Sequence, residues 1–406
     1  MAVSLLANEV SDLCLGKPAL RSLPVTATVS EALSALKNSD DNFLSVWNCD
    51  HLSKTKSGLD CDHHEGDDYE CRCVGKVSIV DVICYLCEDK NLVSPSVALK
   101  QSVSVLLPKI PGLVVHVDPS SSLLEAIDLI LEGAQNLVVP IKTRLSSSIS
   151  RRKQQQKLST GLATFHKGRE FCWLTQEDIV RFLLSSIGLF SPIPALSIDT
   201  LGIINDEIVT IDYNSPASST LRAISRALAT QTSVAVVDGD EGTLIGELSP
   251  FTLGCCDETV AAAIATLSSG DLMAYVDCGG PPEDLIRVVM ARLKHRGLES
   301  MLHEFTNSTT SISTFSTSSS SSDEESVTTV HRSGKYSRSM SYSARMVRRA
   351  EAIVCHPKSS LVAVMIQAIA HRVNYVWVIE DDCSLVGIVT FCNILKVFRE
   401  HLEVML

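Results

Sequence analysis

Residues 351–398 read EAIVCHPKSSLVAVMIQAIAHRVNYVWVIEDDCSLVGIVTFCNILKVF. The apolar run Ala352-Ile353-Val354 meets a turn at His356-Pro357. Leu361, Val364, Met365, Ala368 and Ile369 follow at the i, i+3, i+4 spacing of a helix with one apolar face. Two β-rich runs come next, 376–379 and 385–389, divided by the acidic turn Glu380-Asp381-Asp382. Thr390 closes the second run, and Asn393 lies at the start of another apolar helix. The predicted order is β-α-β-β-α.

That order, with Gly387-Ile388-Val389-Thr390 and then Asn393 at the last strand-to-helix junction, resembles the cystathionine-β-synthase (CBS) repeat. The rest of the chain carries three further matches to the unit. The first copy has strands at 43–47 and 73–78, and Gly75, Ser78 and Asp81 match the Gly-h-h-Ser/Thr-x-x-Asp pattern, with Lys76 at one of its apolar positions. In the second, strand 137–141 and the run Phe171-Cys172-Trp173-Leu174-Thr175 lead to Asp178, with Cys172 in the glycine's place. In the third, Gly246 and Ser249 fit, while Thr252 replaces the aspartate.

The fold class expected from the resemblance is α/β. Four CBS repeats pair, one with two and three with four, into two pseudo-twofold CBS-pair (Bateman) modules, each with a ligand cleft between its halves. The expected boundaries are 10–90 for repeat one, with a polar insertion at 48–72, and 100–190 for repeat two, with a basic polar insertion at 142–170. Repeat three with appended helices at 258–267 and 282–305 takes 196–305, and repeat four 344–406. Residues 306–343 are a Ser/Thr-rich tract with too little apolar content to offset its ordering entropy, and read as a disordered linker. Its serines near Asp323-Glu324-Glu325 and near Arg338, Arg345, Arg348 and Arg349 are expected phosphoacceptors.

The chain resembles the plant CBSX group in its four-repeat form, on residues 344–349 leading into Glu351-Ala352-Ile353-Val354, and on Gly387-Ile388-Val389-Thr390-Phe391. Four repeats also resemble the gamma subunit of AMP-activated kinase. The resemblance implies a non-enzymatic regulatory protein with no catalytic residues, which modulates a partner such as a kinase complex or a regulated enzyme. A homodimer through the CBS modules is a further expectation. The regulatory ligand of such a module is of adenosine type: AMP, ATP or S-adenosylmethionine. The alternative is a ligand-independent interaction scaffold whose clefts are filled by its own side chains.

In nucleotide-binding CBS pairs the motif aspartate takes the ribose hydroxyls and the Ser/Thr sits near phosphate. By that match Ser78, Asp81, Thr175 and Asp178 are the candidate ligand residues, and Ser249, Thr252, Thr390 and Asn393 are degraded counterparts. Ser, Thr and Asp are also the residues preferred as helix N-caps, so capping is the competing reading. The stretches just before the second strand, where kinase-regulating relatives carry phosphate-binding bases, contain Asn42, Gln135, Asn136, Gln231, Asn374 and Tyr375 but no Lys, Arg or His; Arg372 lies just upstream of the last. Charge-assisted contacts, the strong part of phosphate recognition, are missing there.

A net charge of −12 over 406 residues argues against nucleic acid or an acidic membrane as partner. No run reaches the ~18 apolar residues of a membrane span. The first residues lack a basic start and an apolar core, and with 14 cysteines mostly in or near apolar runs the expected address is cytoplasmic, or nuclear, with reduced thiols. Cys49, His51, Cys61, His63, His64, Cys71 and Cys73 crowd the first insertion. Their spacings repeat no known zinc finger, so an acidic loop with thiols is the reading and no metal ligand is assigned. Cys84 and Cys87 have redox spacing but sit in an apolar helix, where core packing is expected. No phosphate-loop, dinucleotide, zinc-protease or nucleophile-elbow motif occurs.

Overall fold

A computed structural model describes residues 8–39, 42–49, 71–141, 164–166, 168–239, 242–277, 281–313 and 351–405. Both predicted insertions, apart from their ends, and nearly all of the Ser/Thr tract lie outside the described residues, as do the expected phosphoacceptors.

Four three-stranded sheets follow one plan. Repeat one has β1 (Ser22–Pro24), α1 (Val29–Lys37), β2 (Phe43–Asn48), β3 (Arg72–Ser78) and α2 (Ile79–Leu86). Repeat two has β4 (Val114–His116), α3 (Leu123–Leu131), β5 (Asn136–Ile141), β6 (Glu170–Thr175) and α4 (Gln176–Ser185). Repeat three has β7 (Thr210–Asp212), α5 (Leu221–Thr230), β8 (Val234–Val237), β9 (Leu244–Leu248) and a single turn, α6 (Pro250–Leu253). Repeat four has β10 (Val354–Cys355), α7 (Leu361–His371), β11 (Tyr375–Ile379), β12 (Leu385–Thr390) and α8 (Phe391–Met405). In each, the first two strands pair in parallel across the helix and the last two antiparallel. The register repeats too: Phe43 faces Ser78, Asn136 faces Thr175 and Tyr375 faces Thr390.

The helices form as their patterns dictate. The buried positions of α7, Leu361, Val364, Met365 and Ala368, are the predicted stripe, and Ser360 caps it by accepting from Ala363 N. Repeats are joined two by two through exchanged lead-in segments. The residue before each first helix, or in repeat three before the 3-10 turn Ala217–Thr220 that leads into α5, bridges the lead-in of its partner repeat: Ser122 to Glu9, Thr28 to Ser102, Ser360 to Ser197 and Pro216 to Ser268. The exchange is reciprocal within repeats one and two and within three and four.

Ser268 and the helix Ser269–Val276 therefore hold the place of repeat four's lead-in, although the sequence reads them as part of repeat three. The helix expected over 282–305 is two helices, Glu283–His295 and Glu299–Ser313, broken at Gly297, whose φ of +67° is left-handed. The expected linker start at 306 also needs correction, since the second of these helices runs to Ser313. Its register is set by fully buried Phe305, and Ser308 Oγ donates to Asp257 Oδ2 at 2.9 Å.

The pairs then pack helix to helix. One continuous core joins repeats one and three, with Leu36, Ile83, Ile224 and Phe305 in it. A second joins repeats two and four, with Ile127, Leu183, Phe190 and Phe398. Lys37 to Glu258 (2.6 Å) and Arg399 to Asp128 (2.6 Å) pin the two seams. No described helix is long and apolar enough to cross a membrane.

Candidate functional site

The motif residues first serve their own helices. Ser78 caps α2: its N–H and Oγ both donate to Asp81 Oδ2 (2.7 and 2.6 Å), and Asp81 N donates back to Ser78 Oγ (3.3 Å). Thr175 and Asp178 repeat the box on α4 at 2.8, 2.7 and 3.3 Å. Thr390 and Asn393 repeat it on α8 at 2.9, 2.6 and 3.2 Å, with an amide oxygen replacing the carboxylate. Ser249 caps α6 through Phe251 N, and Thr252 turns back onto Ser249 O (2.8 Å). A reciprocal box satisfies N–H groups that no helix can satisfy internally. Each motif carboxylate has a second oxygen besides the one engaged in its box.

A central cavity of about 2020 Å³ lies where the repeats meet, lined by strands of repeats one and two, by Tyr375 of β11, and by α5 and the start of α6 of repeat three. Of the predicted residues, Ser78, Asp81, Thr175, Ser249 and Thr252 line it. Asp178, Thr390 and Asn393 do not, and Asp178 is ion-paired with Lys17 at 2.6 Å. The cavity wall also carries Lys76, two residues before Ser78 on β3 and so on the same face. Its ammonium lies 4.8 Å from the centre of the Phe43 ring. Burial holds the Lys76 pKa down to about 8, against the attraction of Asp81, and burial likewise raises the Asp81 carboxyl above its ordinary value. Arg372, in the left-handed conformation at the end of α7, lines the same space.

Strand register makes Lys76, Trp173, Glu247 and Ile388 equivalent, each one residue after the motif's first position. Pair one–two presents Lys76 and Trp173 to the cavity. In pair three–four neither equivalent reaches the cavity wall. Glu247 is buried, with its carboxylate accepting from Tyr375 Oη (3.0 Å to each oxygen) and Trp377 Nε1 (2.8 Å). A buried carboxylate with two charge-assisted donors is a structural tie, strong because its alternatives are unsatisfied.

The uncharged stretches before the second strands meet at the centre. Gln231 Nε2 donates to Gln135 O (3.0 Å), Asn374 Nδ2 donates to Gln231 Oε1 (2.8 Å), and Gln135 Nε2 donates to Leu228 O (3.1 Å) and Ala229 O. Amides thus latch repeats two, three and four where phosphate-binding bases were looked for. Sequence reasoning noted the missing bases but not the latch, whose partners are remote in the chain. The charge at Lys76 was visible as a departure from an apolar position; Glu247 offered the same signal.

Of the redox-spaced pair, Cys87 lies in the core, while half-buried Cys84 packs against that core on the cavity wall. Burial, with Asp81 adding to it, pushes Cys84 up to about 12, and burial raises Cys87 well above the ordinary thiol value, so both stay protonated near neutral pH.

Comparison with known proteins agrees with this architecture. Residues 344–400 match the model of the CBS domain. The chain is 53% identical over 410 residues to the CBS domain-containing protein CBSX5 of Arabidopsis thaliana, covering 99% of each. It is 22% identical to the Arabidopsis thaliana SNF1-related protein kinase regulatory subunit gamma-like PV42a, over 70% of this chain and 87% of that one. The crystal structure of protein MJ1225 from Methanocaldococcus jannaschii superposes with a TM-score of 0.52 at 14% identity, covering 96% of this chain and all of that one. With the repeated β-α-β-β-α units, the swapped lead-ins and an end-to-end relative at this identity, the chain belongs to the plant CBS domain-containing proteins of the CBSX type.

Proposed function

We propose that the chain is a non-enzymatic regulatory protein that modulates a partner protein, and that an adenosine-type ligand enters its central cavity at pair one–two. The cavity itself carries the reading. Lys76, Ser78 and Asp81 put a cation, a hydroxyl and a carboxylate on one wall of it, the set that a phosphate and a ribose need. Its volume of about 2020 Å³ exceeds the roughly 300–1,000 Å³ of an ordinary ligand site, which leaves room for a partner segment beside the ligand. Likeness to a protein kinase gamma-like regulatory subunit supports a kinase complex as the kind of partner.

A scaffold that needs no ligand is the second reading, favoured by the amide latch and by buried Glu247, which Tyr375 and Trp377 hold across pair three–four. Calorimetric titration with AMP, ATP, adenosine and S-adenosylmethionine separates the two. Ligand sensing requires heat with at least one of them, lost in Asp81→Ala and kept in Asn393→Ala, because Asn393 lies off the cavity wall. Absence of heat with all four would leave the scaffold.

A further inference from the structure

Cys49 and Cys71 stand at the two ends of the first insertion, and His166 near the end of the second, 117 residues beyond Cys49. The fold brings them together beside the seam of repeats one and two. Their donor atoms all lie within 4.8 Å of one another, and Cys49 Sγ is 3.7 Å from His166 Nδ1. His166 is buried, and its ring stacks on Trp47 with centroids 3.5 Å apart and planes 12° from parallel.

The hydrogen bonds around His166 fix its tautomer. Ser45 Oγ spends its proton on Arg21 O (2.8 Å) and accepts from Trp47 Nε1 (2.8 Å). Ser22 Oγ, 3.1 Å from Ser45 Oγ, therefore donates to it. With its own proton so used, Ser22 Oγ accepts from His166 Nε2 at 2.7 Å. Nε2 thus carries the hydrogen and Nδ1 turns its lone pair toward Cys49. A ligating histidine held by its far nitrogen is the arrangement that orients imidazole for a metal.

We propose that Cys49, Cys71 and His166 bind a divalent, thiolate-preferring ion of the zinc class. Tetrahedral zinc with Zn–S of about 2.3 Å and Zn–N of about 2.0 Å separates its ligands by roughly 3.6–3.8 Å; the Cys49–His166 edge is already 3.7 Å, and the donors, all within 4.8 Å of one another, need close by no more than about 1 Å around an ion. Two thiolates cancel the ion's charge, which a half-buried site requires. A water completes the coordination. Binding releases two thiol protons and ties the stems of both insertions to the Trp47 side of repeat one. The site is a clip between repeats one and two, independent of any ligand in the central cavity.

The full chain, expressed with zinc and dialysed against a weak chelator, is expected to retain close to one zinc per chain by mass spectrometry. Cys49→Ser, Cys71→Ser and His166→Gln should each lose it, and Ser22→Ala, which touches no ligand atom of the ion, should weaken binding about 10- to 100-fold. Cobalt substitution supplies a second readout, since the wild-type chain should show sulfur-to-metal charge-transfer absorption and Cys71→Ser should lose it, with the circular dichroism of the fold unchanged. Zinc retained in His166→Gln would place any ion within the insertion alone and overturn the proposal. So would a wild-type chain without metal, or one whose Cys49 and Cys71 are joined as a disulfide.

Discussion

Lys76 shows how one residue sets the chemistry of a wall. An apolar side chain is expected at its position, and the chain places an ammonium there with its proton already loosened by burial, to about 8. An incoming phosphate stabilises the charged form, so affinity should fall as pH rises through 8. Above that pH, binding should take up a proton. Titrations at pH 8.5 in two buffers of different ionisation heat measure the uptake directly, and Lys76→Met should abolish both it and the pH dependence. A flat profile in the wild type would separate Lys76 from the ligand. The same depression has a sign for stability. Between about 8 and the ordinary lysine value of 10.5 the unfolded chain binds more protons, so folding gains stability as pH rises through that window.

At the scale of elements, the motif glycines explain how lead-ins reach the sheets. A Cβ on Gly387 would lie 2.6 Å from Asn205 O, a backbone atom bridged to Ile388, and cannot be relieved by rotation. On Gly75 it would meet Leu107 Cδ2 at 2.7 Å, the end of a flexible side chain. Gly387→Ala is therefore expected to cost about 1–3 kcal/mol, and Gly75→Ala less, read as urea midpoints at unchanged slope. Equal losses would mean that the lead-ins do not constrain the sheets. Repeat two departs from the pattern with buried Cys172 in the glycine's place, facing buried Cys14 of the incoming lead-in. The strands, their hairpins and three of the capping boxes were legible because each is fixed by spacing within one repeat. The helix break at Gly297 was not, since a lone glycine inside a periodic run is tolerated as often as it ends a helix. The lead-in exchange, the amide latch and His166 beside Cys49 escaped for a different reason. They join residues 93 to 143 positions apart, or belong to whichever repeat the fold sets alongside, and no local period records that.

The molecule as a whole holds its two pairs by the same means that hold each repeat. A pair's repeats meet through sheets and lead-ins, while the helices of repeat one share a core with repeat three and those of repeat two with repeat four. Neither pair can therefore bury its helix faces alone, because half of each core belongs to the other. The central latch of Gln135, Gln231 and Asn374 and the Arg399–Asp128 pair cross the same boundary. Cooperative unfolding is the consequence. Scanning calorimetry of the full chain should show a single transition, with calorimetric and van't Hoff enthalpies near agreement, although a chain of four repeats would ordinarily unfold in stages. A half cut at the boundary between repeats two and three should expose the faces of α2 and α3 and associate through them, and mixing both halves during refolding should restore the one transition. Two resolved transitions in the intact chain would mean that each pair closes its own core, and would remove the central cavity's claim to be a single rigid site.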